Sequence, residues 1–141
     1  MTIAALLRTK GDEVVLVSPD TTLQDVVVIL TDRRIGAMPV VEDGRLVGIM
    51  SERDVIHALS KSGATVLGQP VSSAMTAPAI TVPPDMPLIA ALSLMTRRRI
   101  RHLPVVEQEQ LLGFVSIGDL VKARIDRIEE EAEALRTYIA S

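Results

Sequence analysis

Residues 48–54 of this sequence combine residue types that suit anion binding. They read GIMSERD, so an apolar run gives way to Ser51, and the carboxylate of Asp54 follows three residues later. A serine in this position caps a helix, and a carboxylate in the first turn favours the positive end of the helix dipole. The free N–H groups of a helix start also suit a phosphate, and such a carboxylate suits the hydroxyls of a ribose. For a single copy, both a helix cap and a nucleotide site are consistent with the motif.

The motif occurs twice because the sequence contains an internal repeat. Residues 17–57 align without gaps on residues 82–122, and sixteen of the 41 aligned pairs are identical. The second copy of the motif reads GFVSIGD at residues 113–119. Self-similarity at a fixed offset is the mark of a repeat architecture. A motif that recurs in both copies favours the nucleotide site over a chance helix cap.

Each repeat is predicted to fold as strand, helix, strand, strand, helix. Residues 14–17 and 79–82 are the predicted first strands, and apolar residues at i, i+3, i+4 and i+7 from Leu23 and from Leu88 predict the first helices. Thr21 or Thr22 is expected to cap the helix that starts at Leu23. Two apolar runs joined by EDGR predict a hairpin. The second copy has EQEQ there, so its turn is expected to be of a different type.

These elements predict an α+β fold of two βαββα repeats. The predicted organisation is an N-terminal helical extension (1–13), a first repeat (14–62), a linker (63–78), a second repeat (79–122) and a C-terminal helix that continues from it (123–141). Gly63 is a plausible end for the last helix of the first repeat. Units this small are not expected to close a core each. We therefore expect them to pack together about a pseudo-twofold axis.

Composition excludes several classes of function. The net charge of −3 argues against a nucleic-acid partner, and the absence of cysteine excludes disulfides and thiolate metal sites. The two histidines, His57 and His102, form no ligand-spaced cluster, so no metal site is expected. There is no signal-peptide pattern and no apolar stretch of membrane-spanning length, so a cytoplasmic protein without a membrane partner is predicted.

The duplicated motif, with the Pro-Val-Val that precedes it in each copy, closely resembles the CBS (cystathionine-beta-synthase) domain. The whole chain resembles a tandem CBS pair, or Bateman module, and the resemblance covers residues 14–122. It implies two nucleotide sites in the cleft between the repeats. In each, the aspartate holds a ribose, and the serine with nearby basic groups holds phosphate.

The resemblance further implies that each site combines residues of both repeats. One site would combine Gly48, Ser51, Arg53 and Asp54 with Ile80, Arg101, His102 and Leu103. The other would combine Gly113, Ser116 and Asp119 with Val15, Gly36, Ala37 and Met38, with Lys10 placed to reach phosphate. Because Arg101 and His102 are adjacent on a predicted strand, only one is expected to face the cleft. Arg97 to Arg99 are interpreted as a mainly structural helix end.

The sequence therefore favours a non-catalytic module that binds AMP, ADP, ATP or NAD and signals its occupancy to an unidentified protein. Two alternatives stay open. One is a ligand-free structural or dimerisation module in which both motifs only cap helices. The other is a nucleotide-hydrolysing enzyme, against which stands the lack of a recognisable catalytic set or Walker loop.

The C-terminal segment carries a separate signal. Apolar residues alternate spacings of four and three, as in a heptad seam: Val121, Ile125, Ile128, Ala132, Leu135 and Ile139. This seam predicts either pairing across a homodimer or a helix that packs back on its own domain. The homodimer is the favoured interpretation.

Overall fold

Two similar sets of helices and strands follow one another after a short N-terminal helix. The computed structural model describes residues 1–11 and 13–141. The elements are α1 (Ile3–Lys10), α2 (Leu23–Arg33), β1 (Ala37–Glu42), β2 (Arg45–Ser51), α3 (Glu52–Ser62), α4 (Leu88–Arg98), β3 (His102–Glu107), β4 (Gln110–Ser116) and α5 (Ile117–Ala140). Two 3₁₀ turns, Ala64–Gly68 and Val71–Ser73, lie in the linker. The predicted α+β fold is confirmed. Within the described ranges, no helix is both long and apolar enough to cross a membrane.

The predicted first strand of each repeat is reduced to a single parallel bridge. Val17 pairs with Val40, and Val82 pairs with Val105. Each bridge is made by two backbone hydrogen bonds, for example from the Val82 N–H to the Pro104 carbonyl at 3.0 Å. The prolines that follow, at positions 19 and 83–84, have no N–H with which to extend the pairing. The prediction of full strands at residues 14–17 and 79–82 is therefore wrong in extent.

The two hairpins share the same register and the same turn. β1 pairs antiparallel with β2, and β3 with β4, in registers that match position for position. The central turn residues all have positive φ, at 51° and 79° for Asp43 and Gly44 and at 51° and 64° for Gln108 and Glu109. The expectation of a different second turn is wrong. A two-residue hairpin needs this conformation to match the strand twist, so the strands impose it even without glycine.

Helix ends follow the predicted signals. Thr22 caps α2, because its hydroxyl accepts a hydrogen bond from the Asp25 N–H at 3.2 Å. Gly63 ends α3 with φ of 74°. The helices α2 and α4 each end with an arginine in the left-handed conformation, Arg34 at φ 54° and Arg99 at φ 55°. This residue ends each helix just before the following strand.

Each repeat closes its own core with a covering segment from outside the repeat. For the second repeat this segment is α1, whose Ile3 and Leu6 are buried in its core. For the first repeat it is the linker, whose Val66 and Val71 are buried there. The described residues thus form two apolar clusters, rather than the single shared core that we expected, and the repeats meet along β2 and β4. The N-terminal extension is helical as predicted, while Asp12 within it lies outside the described residues.

Two glycines allow the covering segments to approach the sheets. A Cβ atom on Gly48 would lie 2.9 Å from both the Met75 Sδ and the Thr76 carbonyl oxygen. A Cβ atom on Gly113 would lie 2.6 Å from Leu7 Cδ2. The obstacle at Gly48 includes fixed backbone, whereas the obstacle at Gly113 is the end of a flexible side chain. Of these two corresponding glycines, Gly48 in the first repeat is therefore the less tolerant of a larger residue.

We predict that Gly48→Ala lowers the free energy of unfolding by about 1–3 kcal/mol, since overpacking against backbone has no easy relief. Gly113→Ala should cost less, because Leu7 can change rotamer. Gly68→Ala is the matched control: a Cβ there meets no atom within 4 Å, so it should change stability by no more than ~0.5 kcal/mol. Urea denaturation of the three variants measures this. A larger cost for Gly113→Ala than for Gly48→Ala would contradict the argument.

Candidate functional site

A cavity of about 270 Å³ lies between the two repeats at the start of α3. It is lined by Gly36, Ile49, Ser51, Glu52, Arg53, Asp54, Thr76, Pro78, Ala79, Ile80, Arg99, Ile100, Arg101 and His102. These residues come from the first repeat, from the end of the linker and from the segment that joins α4 to β3. The cavity thus combines both repeats, and its volume lies near the lower end of the range for small-molecule sites.

Asp54 is held in the cavity wall by its hydrogen bonds. Its Oδ2 accepts from the Ser51 N–H and the Ser51 hydroxyl, both at 2.9 Å, and its Oδ1 accepts from the Thr76 hydroxyl at 3.0 Å. In return the Asp54 N–H donates to Ser51 Oγ at 3.2 Å. This is a complete capping box, so the helix-cap interpretation of the motif is confirmed. The carboxylate nevertheless remains part of the cavity surface.

Positive side chains outnumber negative ones in the cavity wall. Arg53, Arg99 and Arg101 contribute three largely exposed guanidinium groups, against the carboxylates of Glu52 and Asp54. The remaining wall is mainly apolar, with Ile49, Pro78, Ala79, Ile80 and Ile100. Arginine forks pair well with phosphate and carboxylate groups. This wall suits an anion that also carries an apolar part.

Six of the eight residues predicted for this site line the cavity, namely Ser51, Arg53, Asp54, Ile80, Arg101 and His102. Gly48 and Leu103 do not. Gly48 lies beneath Thr76, and Leu103 is fully buried in the core of the second repeat. The expectation that only one of Arg101 and His102 faces the cleft is wrong. β3 begins at His102, so Arg101 lies before the strand. The rule that neighbouring strand residues point to opposite faces therefore does not apply to this pair.

Three polar residues of the cavity wall were missed in the sequence. Glu52 lies inside the motif, so its position was a usable signal. Arg99 was interpreted as a structural helix end, and it is indeed the left-handed cap of α4 as well as a cavity residue. Thr76 reaches Asp54 from the linker, 22 residues away. No local pattern predicts that contact.

The pocket that contains Asp119 and Lys10 is lined by residues of α1 and α5 together with Met1, and not by Val15, Gly36, Ala37 or Met38, which were predicted to frame a site there. Ala37 and Met38 are buried, with exposed fractions of 3% and 0%. Gly36 lines the cavity at Asp54 instead, and Val15 packs against the core of the first repeat. Val15 and Met38 therefore belong to the core of the first repeat and Gly36 to the first cavity, while Ala37 is buried at the start of β1.

Asp119 is paired with Lys10 of α1. The Lys10 ammonium donates to Asp119 Oδ2 at 2.6 Å and to the Phe114 carbonyl at 2.7 Å. Asp119 also accepts from the Ser116 N–H at 2.8 Å, in a second capping box. Burial opposes ionisation of Asp119, but the hydrogen bonds from Lys10 and Ser116 hold its pKa below the ordinary value. Lys10, predicted to reach phosphate, is thus bonded to the motif carboxylate, and Gly113 lies beneath α1.

His102 lies between the two motifs. Its imidazole stacks on the Phe114 ring, with centroids 5.6 Å apart and planes inclined by 10°. On its other side, a Cβ atom on Gly36 would lie 3.4 Å from His102 Cε1. A Cβ atom on Gly36 would therefore be at van der Waals contact distance from this ring.

The surroundings of His102 favour its neutral form. Burial lowers the pKa of His102 from the ordinary value of 6.5. The carboxylates of Glu52 and Asp119 act against this shift, and the positive charges of Lys10 and Arg101 act with it. Because the net pKa is lowered, folding favours the deprotonated imidazole.

Comparison with known protein families shows to which family this chain belongs. The family model described as CBS domain matches the chain twice, over residues 7–61 and 71–126. The chain belongs to the CBS-domain family. Each of its two CBS domains contains one copy of the motif.

Several CBS-domain proteins are similar over most of the chain. It is 35% identical over 147 residues to the CBS domain-containing protein CBSX3, mitochondrial, of Arabidopsis thaliana, covering 98% of this chain and 71% of that protein. A CBS-domain containing protein from Agrobacterium tumefaciens has a TM-score of 0.84 and 39% identity, over 88% of this chain and 99% of that chain. The structure of CBSX2 in complex with AMP has a TM-score of 0.76 and 26% identity, over 89% and 96% of the chains.

We predict that the chain loses stability as the pH falls below 6.5, through protonation of His102. The unfolded chain binds the proton at the ordinary pKa, whereas the folded pKa is lower, so stability from the neutral imidazole is complete above 6.5 and is lost below it. Urea denaturation between about pH 7.5 and pH 5.5 measures the slope. His102→Gln should flatten it, while the control His57→Gln, at an exposed position of α3, should not. An unchanged slope in His102→Gln would refute the assignment.

Proposed function

We propose that the chain is a non-catalytic regulatory module that binds an adenylate in the cavity at Asp54 and transmits its occupancy to another protein. The observation that carries this proposal is the cavity itself: both repeats contribute to it, and it joins a carboxylate at a helix start to three guanidinium groups. The AMP complex of CBSX2 supports the same ligand class. The candidates are AMP, ADP, ATP and NAD.

The cavity offers a partner for each part of an adenylate. Asp54 Oδ1 has the Thr76 hydroxyl as its one hydrogen-bond donor among the described residues, so it retains accepting capacity for a ribose hydroxyl. Arg53 and Arg101 would pair with phosphate oxygens. Ile80, together with the other apolar wall residues, would contact the base. Ligand binding to the native state must raise the melting temperature, so a thermal-shift screen identifies which adenylate binds.

Asp54→Asn should weaken adenylate binding by at least about tenfold, since a hydrogen bond to a charged group contributes about 1.5–3 kcal/mol. Asparagine keeps the shape of the side chain and an oxygen for the cap. The matched control is Asp25→Asn, which alters the equivalent first-turn carboxylate of α2, capped by Thr22, at a position outside the cavity. Calorimetric titration with AMP compares the two. Equal affinities in both variants would leave the motif as a helix cap only.

A ligand-free structural module is the second candidate, and one observation favours it. Both motifs form complete capping boxes. A structural role therefore explains the serine and the aspartate of each motif even without a ligand. If no adenylate shifts the melting temperature, this candidate replaces the first. A hydrolase would instead convert ATP in the presence of Mg²⁺, which product analysis detects directly.

We further propose that the module is a homodimer that uses α5. Apolar side chains of this helix stay exposed, with exposed fractions of 42% for Val121, 49% for Ile125, 48% for Ile128 and 59% for Leu135. The alternative, in which the helix packs back on its own domain, does not account for this exposure. Burial of one Leu or Ile side chain contributes roughly 1.5–3 kcal/mol, so a few such residues are enough to favour association.

Truncation after Arg124 should shift the protein towards monomer, because it removes most of the exposed seam and keeps Ala123, which is buried in the core. Light scattering coupled to size exclusion measures the mass. AMP binding should survive, since every residue of the Asp54 cavity lies upstream. A truncated chain that remains a tight dimer would place the interface elsewhere, for which Ile56 and Ile89, exposed on α3 and α4, are the next positions to substitute.

A further inference from the structure

The two motif carboxylates differ in the partner that reaches them from the covering segment. Asp54 accepts from a neutral hydroxyl, that of Thr76, at 3.0 Å. Asp119 accepts from an ammonium group, that of Lys10, at 2.6 Å. The same ammonium group also donates to the Phe114 carbonyl. Both bonds are charge-assisted, since each has a carboxylate as its acceptor, but only Lys10 brings a full positive charge to its partner.

These partners occupy corresponding places in the two repeats. The offset of 65 residues that aligns the repeats places Lys10 at the position of Met75, immediately beside Thr76 in the other copy. α1 covers Gly113 as the linker covers Gly48. Buried residues of α1 anchor it in the core of the second repeat. The ammonium group is therefore a fixed part of the fold at the place where the first copy has a hydroxyl.

We infer that Lys10 prevents adenylate binding at Asp119. One chain therefore binds a single adenylate, at Asp54, rather than two. This inference rests on the proposed function. At Asp119 the Lys10 ammonium and the Ser116 N–H both donate to Oδ2, so a ribose hydroxyl would meet a carboxylate whose negative charge an internal cation already offsets. The lysine and aspartate side chains are only 33% and 27% exposed, so water screens their attraction incompletely.

The side chains around Asp119 point to the same conclusion. The counterpart of Arg53 in the second copy is Gly118, and the counterpart of His102 is the buried Ala37. The His102 ring lies stacked on Phe114, whose counterpart Ile49 lines the open cavity. Two of the three arginines in the wall of the first cavity, Arg53 and Arg101, thus correspond to glycines in the other repeat, whereas Arg99 corresponds to Arg34.

Calorimetric titration with AMP tests the inference through stoichiometry. The wild-type chain should bind one AMP, and Asp54→Asn should bind it at least about tenfold more weakly. Adding Lys10→Met to Asp54→Asn should restore one site, since methionine stands at the corresponding position 75 and keeps the length of the side chain without its charge. Adding Asp119→Asn to that double variant should abolish the restored site.

Lys122→Met is the matched control for the removal of a lysine charge. Lys122 is an exposed residue of α5 that pairs with Asp126 at 2.8 Å, so in the Asp54→Asn background it should restore no site. Circular dichroism melting confirms that each variant is folded, and Lys10→Gln provides a second uncharged version if Lys10→Met is not.

Three results would overturn the inference. They are two AMP molecules per wild-type chain, no restored site in the folded double variants, or weaker AMP binding when Lys10→Met is made alone, which would make Lys10 a phosphate ligand. In each case binding at Asp54 persists and the proposed function stands. If neither the wild type nor any variant binds AMP, the proposed function fails, and the inference fails with it.

Discussion

The packing of a covering segment against each hairpin is the constraint on which the rest of this structure depends. Neither repeat closes its core alone, so α1 completes the second core and the linker completes the first. That packing favours glycine at positions 48 and 113, because the segments pass within van der Waals contact of the strands, and it does so more strictly at position 48, where the obstacle includes backbone. It also decides which side chain meets each motif carboxylate. Thr76 reaches Asp54 and Lys10 reaches Asp119 only because these segments lie where they do.

A helix cap and a ligand site are not exclusive uses of the motif. The capping box occupies Asp54 Oδ2 and fixes the orientation of the carboxylate. Oδ1 is left with a neutral hydroxyl partner, which a ligand hydroxyl can join or replace. A carboxylate oriented by its own helix loses little side-chain entropy when a ligand binds. The cap therefore pre-organises the site, and the two interpretations of the motif describe two oxygens of one side chain.

The parts of the fold that local patterns control could be predicted from the sequence. The hairpins, the Thr22 cap and the Gly63 helix end all follow from signals within a few residues. Local reasoning was wrong where pairing across the sheet overrides it. The first strands shrink to single bridges at Val17 and Val82, and the turn at Gln108 takes left-handed conformations without glycine.

The composition of the site was predictable only in part, for a similar reason. Asp54, Arg53 and Ser51 lie within one motif, whereas the contact of Lys10 with Asp119 joins residues 109 positions apart. Contacts over such separations depend on how the covering segments pack, and no periodicity encodes that packing.

The difference between the two halves follows from side chains near the place where the repeats meet. Gly36 and Arg101 occupy corresponding positions, as do Ala37 and His102. The imidazole of His102 lies beside Gly36 and stacks on the Phe114 ring. The divergence at these positions therefore gives the Asp54 cavity two wall residues, Arg101 and His102, that have no counterparts of the same type in the first repeat, while the Asp119 carboxylate is paired with Lys10 of the same chain.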